Sequence, residues 1–166
     1  EGKIGNAKVG AGELLVIEAD ESDGSIVQYK PEIGLLMNID KDHQEIEELL
    51  SLFGTFKNNS RKFITNQSHP LTAPLSSQWA NDFATDTSHD AGYAASDFKQ
   101  VGMEISFKLN NQSFSLHLPG KHNMENAIAA TAVAHQLGVD LATCAAALKD
   151  YQGIYRRHQV LGQKNG

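Results

Sequence analysis

The chain has 166 residues, 40% of them hydrophobic and 20% charged, with a formal charge of −6 and a pI near 5.6. That is the composition of one folded domain with a buried core, and it argues against disorder and against a general nucleic-acid-binding surface, which requires a basic face. Cys144 is the single cysteine, which excludes an internal disulfide and a thiolate metal cluster, and no apolar run approaches the ~18 residues of a membrane span. A cytoplasmic protein with no membrane partner is expected.

Residues 1–12 hold four glycines and predict a loop. Residues 13–18 predict the first strand, because Leu14-Leu15-Val16-Ile17 is a continuous apolar run of the kind buried on both faces of a parallel sheet. That run passes directly into Glu18-Ala19-Asp20-Glu21-Ser22-Asp23. Acidic side chains emerging at a strand's carboxyl end lie where open α/β sheets bind ligands, and a cation would relieve their mutual repulsion. A solvated acidic turn accounts for the same pattern. Residues 19–31 predict a loop closed by Pro31, and residues 33–39 a second buried strand ending in Asn38, Asp40, Asp42 and His43.

From Gln44 to Phe56 apolar residues recur at 46, 49, 50, 53 and 56, with Glu45, Glu47 and Glu48 near the start, which predicts a helix. Residues 62–66 predict a third strand, residues 67–75 a loop with Pro70 and Pro74, and a short helix is expected to follow through Trp79. Between 91 and 118, Met103, Ile105, Phe107 and Leu109 alternate, Asn110-Asn111 interrupts, and Phe114, Leu116 and Leu118 alternate again. This predicts a hairpin with an Asn-rich turn. Leu118 to Asn123 leads into an Ala-rich helix over 124–137, stopped by Gly138, and Asp140 caps a second helix over 141–150. The fold class expected is α/β, a mainly parallel sheet flanked by helices with a small antiparallel hairpin extension.

Three constellations carry chemistry. Glu18, Asn38 and His43 end two neighbouring strands and could share one Mg²⁺, an ion that uses few protein ligands and prefers oxygen, so that His43 would act through water. His43 could equally be a surface histidine before a helix. Asn123 and Asn126 are three apart on one helix face beside His122, and an amide can pair donor and acceptor with an adenine edge. N-capping by Asn123 is the simpler alternative. Arg156-Arg157 could clamp a phosphate or form a solvated basic pair. No G-x-x-x-x-G-K-[ST], G-x-S-x-G or H-E-x-x-H pattern occurs, and Trp79, His69, His89, His117, His135 and Cys144 fit structural or surface roles.

Taken in order, Glu18-Ala-Asp-Glu-Ser-Asp-Gly-Ser25, Asn38-Ile-Asp-Lys-Asp-His43, Pro119-Gly-Lys-His-Asn-Met-Glu-Asn-Ala-Ile-Ala-Ala130 and Gly153-Ile-Tyr-Arg-Arg157 resemble the central domain of the Mur ligase family. The resemblance implies ATP-dependent amide-bond synthesis, in which a substrate carboxylate takes the γ-phosphate as an acyl phosphate and an amine then displaces it. ATP and Mg²⁺ are the implied cofactors. Glu18 and His43 match metal and catalytic positions with Asn38 beside them. Asn123 and Asn126 match adenine-contacting positions with His122 nearby, and Arg156 and Arg157 match arginines at the hinge into a third domain. Ser22-Asp23 favours the branch that joins L-alanine to UDP-N-acetylmuramate over the branch that reattaches recycled tripeptide. A non-catalytic nucleotide-binding domain of the same fold is the reading from another class.

The family's phosphate-binding loop is expected upstream of Glu1, since the Gly-Lys-Thr it contains is not in this sequence. Residues 1–153 are therefore expected to be a central domain truncated at its N-terminus, and 154–166 a linker into an absent C-terminal domain, with the isolated chain inactive. Lys57 is ambiguous, because several branches use a carbamylated lysine beyond the metal histidine.

Overall fold

A computed structural model of the protein describes residues 10–41 and 44–154. Its first regular unit is a β-α-β arrangement: β1 (Ile33–Leu36), α1 (Ile46–Asn59) and β2 (Lys62–Thr65), with β1 and β2 parallel and in register from Ile33 opposite Lys62 to Leu36 opposite Thr65. A bridge between Asn66 and Phe83 carries the parallel pairing on to β3 (Phe83–Ala84). β3 pairs parallel with β4 (Tyr93–Val101), and β4, β5 (Glu104–Leu109) and β6 (Gln112–Leu116) then run antiparallel. The α/β class therefore stands, with parallel strands on one side and an antiparallel extension on the other. Two helices complete the chain, α2 (Lys121–Gln136) and α3 (Leu141–Lys149).

Alternation of side chains across the parallel strands builds two cores. Leu36 and Phe63 face α1, where they pack with Leu49, Phe53, Phe56 and Ile39. Ile33, Leu35 and Ile64 face the other way, onto a core shared by β3–β6, α2 and α3. Met124, Ala127, Ile128, Thr131 and Ala132 form the buried face of α2. Gly34 permits the close approach of α1 to β1. A Cβ there would collide with Ser60 Oγ and stand 2.9 Å from the Phe63 ring.

α2 runs antiparallel to β2. Near its start Glu125 accepts a hydrogen bond from Asn66, just past the carboxyl end of β2, and near its end Gln136 accepts one from Lys62 at the amino end. The head of α2 consequently lies at the same sheet edge as the segments that follow β1 and β2. In open α/β sheets this edge binds ligands.

The hairpin forms as expected. Asn110 and Asn111 take positive φ of 48° and 67°, the geometry of a two-residue turn matched to strand twist, and Ile105, Phe107, Leu109, Phe114 and Leu116 are buried. Met103 is exposed, because it sits in the turn before β5. β4 is an addition to the expected elements. Its period breaks at a register shift between Ser96 and Lys99, where Asp97 has φ 55° and pairs with Lys108 at 2.9 Å, so no clean alternation marks it.

The strand expected over 13–18 does not form. Residues 14–20 have no regular structure, and Leu15 and Val16 are 83% and 91% exposed. A continuous apolar run needs neighbours on both faces and at both edges. Among the described residues, β1 pairs only with β2 and nothing covers the outer side of 14–17. The second strand is shorter than expected, ending at Leu36 rather than residue 39. The short helix expected to follow through Trp79 does not form. Trp79–Asn81 is a single 3₁₀ turn, and another, Ala73–Leu75 with Pro74 in it, falls within the predicted loop.

Candidate functional site

A groove of about 870 Å³ runs along the open edge of β1. Ile33, Val133 and Leu137 line its apolar end, Leu14 to Ile17 form an outer wall, and Glu18, Glu21, Asn38 and Asp40 supply its polar lining. Glu18 and Asn38, 20 positions apart in the chain, thus share one groove although no strand forms over 13–18. Both are exposed oxygen donors, which suits Mg²⁺. Asn38 donates through Nδ2 to Asp40 Oδ2, which leaves Oδ1 as the atom a cation would meet. His43 lies outside the described residues. Among the described residues no group of three His, Cys, Asp or Glu side chains converges as a metal site.

The acidic run divides by role. Asp20 Oδ1 accepts the Ser22 N–H at 2.8 Å and Asp23 Oδ1 accepts the Ser25 N–H at 2.8 Å, each folding the chain back on itself. Hydrogen bonds from Ser22 and Ser25 hold these two carboxyls below the usual carboxylate range. Gly24 follows with φ 71°, in the left-handed region. Asp20 and Asp23 therefore shape the loop, while Glu18 and Glu21 face the groove.

The head of α2 forms the second half of the site. Gly120 precedes the helix at φ 97°, and a Cβ there would stand 2.6 Å from the His122 ring, so the imidazole lies directly over the glycine. Asn123 does not cap the helix. Its Nδ2 donates back to the Pro119 carbonyl at 2.7 Å and approaches His122 Nε2 at 3.1 Å, fixing the Pro119-Gly120 loop. Asn126 is exposed one turn further on, with His122 also exposed. Arg156 and Arg157 lie outside the described residues.

Lys57 is engaged away from the groove. Its Nζ donates to the Ser76 carbonyl at 3.2 Å, tying the end of α1 to the turn after β2. Three residues given no site role in the sequence lie beside the candidate site. Asn66 is buried beyond β2 and donates to Glu125 Oε1 at 2.8 Å. His69 Nε2 stands 3.9 Å from Asp40 Oδ1. Burial pushes the Glu125 carboxyl up, opposed by His69, Asn66 and His122. Of the three, Glu125 alone carried a signal, a carboxylate in a helix's first turns between two motif asparagines.

Comparison with known proteins defines the family. Residues 3–134 match the Mur ligase middle domain, and the chain belongs to that family. It is 35% identical to a UDP-N-acetylmuramate–L-alanine ligase of Thermosynechococcus vestitus, over 98% of this chain and 36% of that protein. It is 33% identical to the ligase of the same name from Geotalea uraniireducens, over 95% of this chain and 37% of that one. The chain therefore spans about a third of the length of these relatives. Among solved structures, a UDP-N-acetylmuramate–alanine ligase from Thermotoga maritima superposes with a TM-score of 0.73 at 22% identity, covering 86% of this chain and 34% of that one. A murein peptide ligase from Psychrobacter arcticus gives 0.61 at 23% identity, over 82% of this chain and 30% of the other, a likeness of fold alone.

Proposed function

We propose that this chain is the ATP-binding middle section of a cytoplasmic ligase that joins L-alanine to UDP-N-acetylmuramate in peptidoglycan precursor synthesis. The observations that support the reading are that Glu18 and Asn38 line one groove beside β1, and that Asn38, just past the carboxyl end of β1, lies at the end of the sheet where the antiparallel α2 begins with His122, Asn123 and Asn126. The names of the relatives that match across 95% to 98% of the chain support the substrate pair.

In this reading Asn126 and Asn123 meet the adenine edge with His122 beside them, and Arg156 and Arg157 meet the phosphates. Glu18 and Asn38 hold Mg²⁺ with His43, directly or through water. The bound ion would neutralise phosphate oxygens during transfer. The muramate carboxylate attacks the γ-phosphorus, ADP leaves, and the alanine amine displaces phosphate from the acyl carbon. Glu18 and Asn38 contribute by fixing the phosphate end of the nucleotide, and Asn126 by fixing the base end, so that the attack is a matter of placement.

The test is phosphate release by the full-length protein with ATP, Mg²⁺ and UDP-N-acetylmuramate, with L-alanine against recycled tripeptide as acceptor. L-alanine-dependent release is expected. Turnover with tripeptide and none with L-alanine would transfer the chain to the recycling branch. No turnover with either would favour a non-catalytic nucleotide-binding domain.

A further inference from the structure

Asn66 joins more segments than its position after a short strand would suggest. Its N–H donates to the Leu36 carbonyl of β1, and its backbone bridges to Phe83 of β3. Its carbonyl accepts from Thr72 Oγ1 at 2.6 Å, and its Oδ1 accepts the Ser68 N–H at 2.9 Å. The one bond it sends across to α2 is Nδ2 to Glu125 Oε1, at 2.8 Å. Asn66 is 3% exposed and Glu125 half-buried, so this bond is largely shielded from water. A buried donor left without an acceptor costs more than the bond contributes when made. Glu125 lies between Asn123 and Asn126 on the first turns of α2.

We propose that Asn66 and Glu125 form a positioning clamp that sets the head of α2 against the carboxyl end of β2, and so fixes where His122, Asn123 and Asn126 meet the nucleotide base. The clamp rests on the adenine-binding reading above. Neither residue touches the nucleotide. Both act through the helix, whose displacement by a fraction of an ångström would move three contact residues together.

The polarity of the bond supplies the test. Asn66→Asp keeps an oxygen for the Ser68 N–H but cannot donate, and it sets one carboxylate against another. Glu125→Gln keeps an acceptor oxygen. The double variant reverses the bond, because the new amide on α2 can donate to the new carboxylate beyond β2. In the full-length protein, Asn66→Asp is expected to raise both the KM for ATP and the Kd for ATP by about tenfold, leaving kcat and the KM for L-alanine within about twofold. Glu125→Gln is expected to stay near wild type, and the double variant to recover most of the loss. Glu125→Ala, at a half-buried site, is expected to raise the KM for ATP as Asn66→Asp does.

Unchanged ATP affinity in Asn66→Asp or Glu125→Ala overturns the clamp. So does a loss spread equally over all substrates with a lowered melting temperature and no recovery in the double variant, which is the signature of a merely structural bond. If the wild type binds ATP without L-alanine-dependent turnover, the ligase reading fails and the clamp is still decided by the Kd series. If the wild type binds no ATP, the clamp falls with it.

Discussion

The two halves of the candidate site are held in different ways. The acidic half is carried by chain without regular structure: Glu18 and Glu21 are exposed, and the loop keeps its shape through short-range bonds from Ser22 and Ser25 to Asp20 and Asp23. The half at the head of α2 is carried by a helix whose opposite face is fully buried, and it is bonded to Pro119 on one side and to Asn66 on the other. Charge and exposure suit a group that must meet a hydrated cation, whereas reading a flat base edge needs amides held still. The same division predicts which substitutions reach stability and which reach chemistry alone.

The largest effect is expected on the acidic half. Glu18→Ala in the full-length protein should lower amide formation by about two orders of magnitude at ordinary Mg²⁺. Because Glu18 is exposed, the variant's melting temperature should stay unchanged. Near-normal alanine-dependent phosphate release would remove Glu18 from the metal site. A second comparison sets the core of α2 against the apolar wall of the groove. Ile128→Ala, at a fully buried position, should cost about 2–5 kcal/mol in denaturant unfolding, and Leu15→Ser, at a position 83% exposed, less than about 0.5 kcal/mol. Equal losses would mean that the 14–17 run is buried in solution.

A smaller effect separates the two asparagines of α2. Asn126→Ala should raise the KM for ATP by about tenfold with no change in melting temperature. Asn123→Ala should change both, since Asn123 also holds the Pro119 carbonyl. Titrations that give identical behaviour for the two would erase the distinction between a contact alone and a contact that also braces the loop. The smallest effect lies at α3, away from the site. Asp140 caps that helix by accepting the Thr143 N–H at 2.9 Å, and bonds from Thr143 hold its carboxyl below the usual range. A depressed carboxyl contributes stability above its unfolded pKa and loses it as pH falls through the folded value. Asp140→Ala should therefore lower the melting temperature slightly at neutral pH and not at all in strong acid, as thermal melts across that range would report.

The candidate residues of each half could be picked from the sequence because each half is a local pattern. Glu18, Asn38 and the His122–Asn126 run each stand in a short polar segment, and the resemblance to one family is what gave them candidate roles. Asn66 and His69 were not legible, because a buried Asn and a lone His after a short strand look like ordinary turn residues until α2 is packed over them. β4 escaped because its bulge at Asp97 breaks the alternation by which strands are recognised. The 13–18 run misled for the opposite reason. Its apolar continuity specifies burial, but burial depends on partners that the described residues do not provide.

Residue pattern alone was enough for the α/β class, the hairpin with its Asn110-Asn111 turn and both C-terminal helices. Each of these is written in periodicity, capping or residue type within a few positions. Packing decided which acidic side chains face the groove, that Asn123 braces a loop instead of capping a helix, that Lys57 is tied to Ser76, and that Glu125 is held by Asn66. The last of these joins residues 59 positions apart, and no local pattern encodes a contact that only the folded chain brings together.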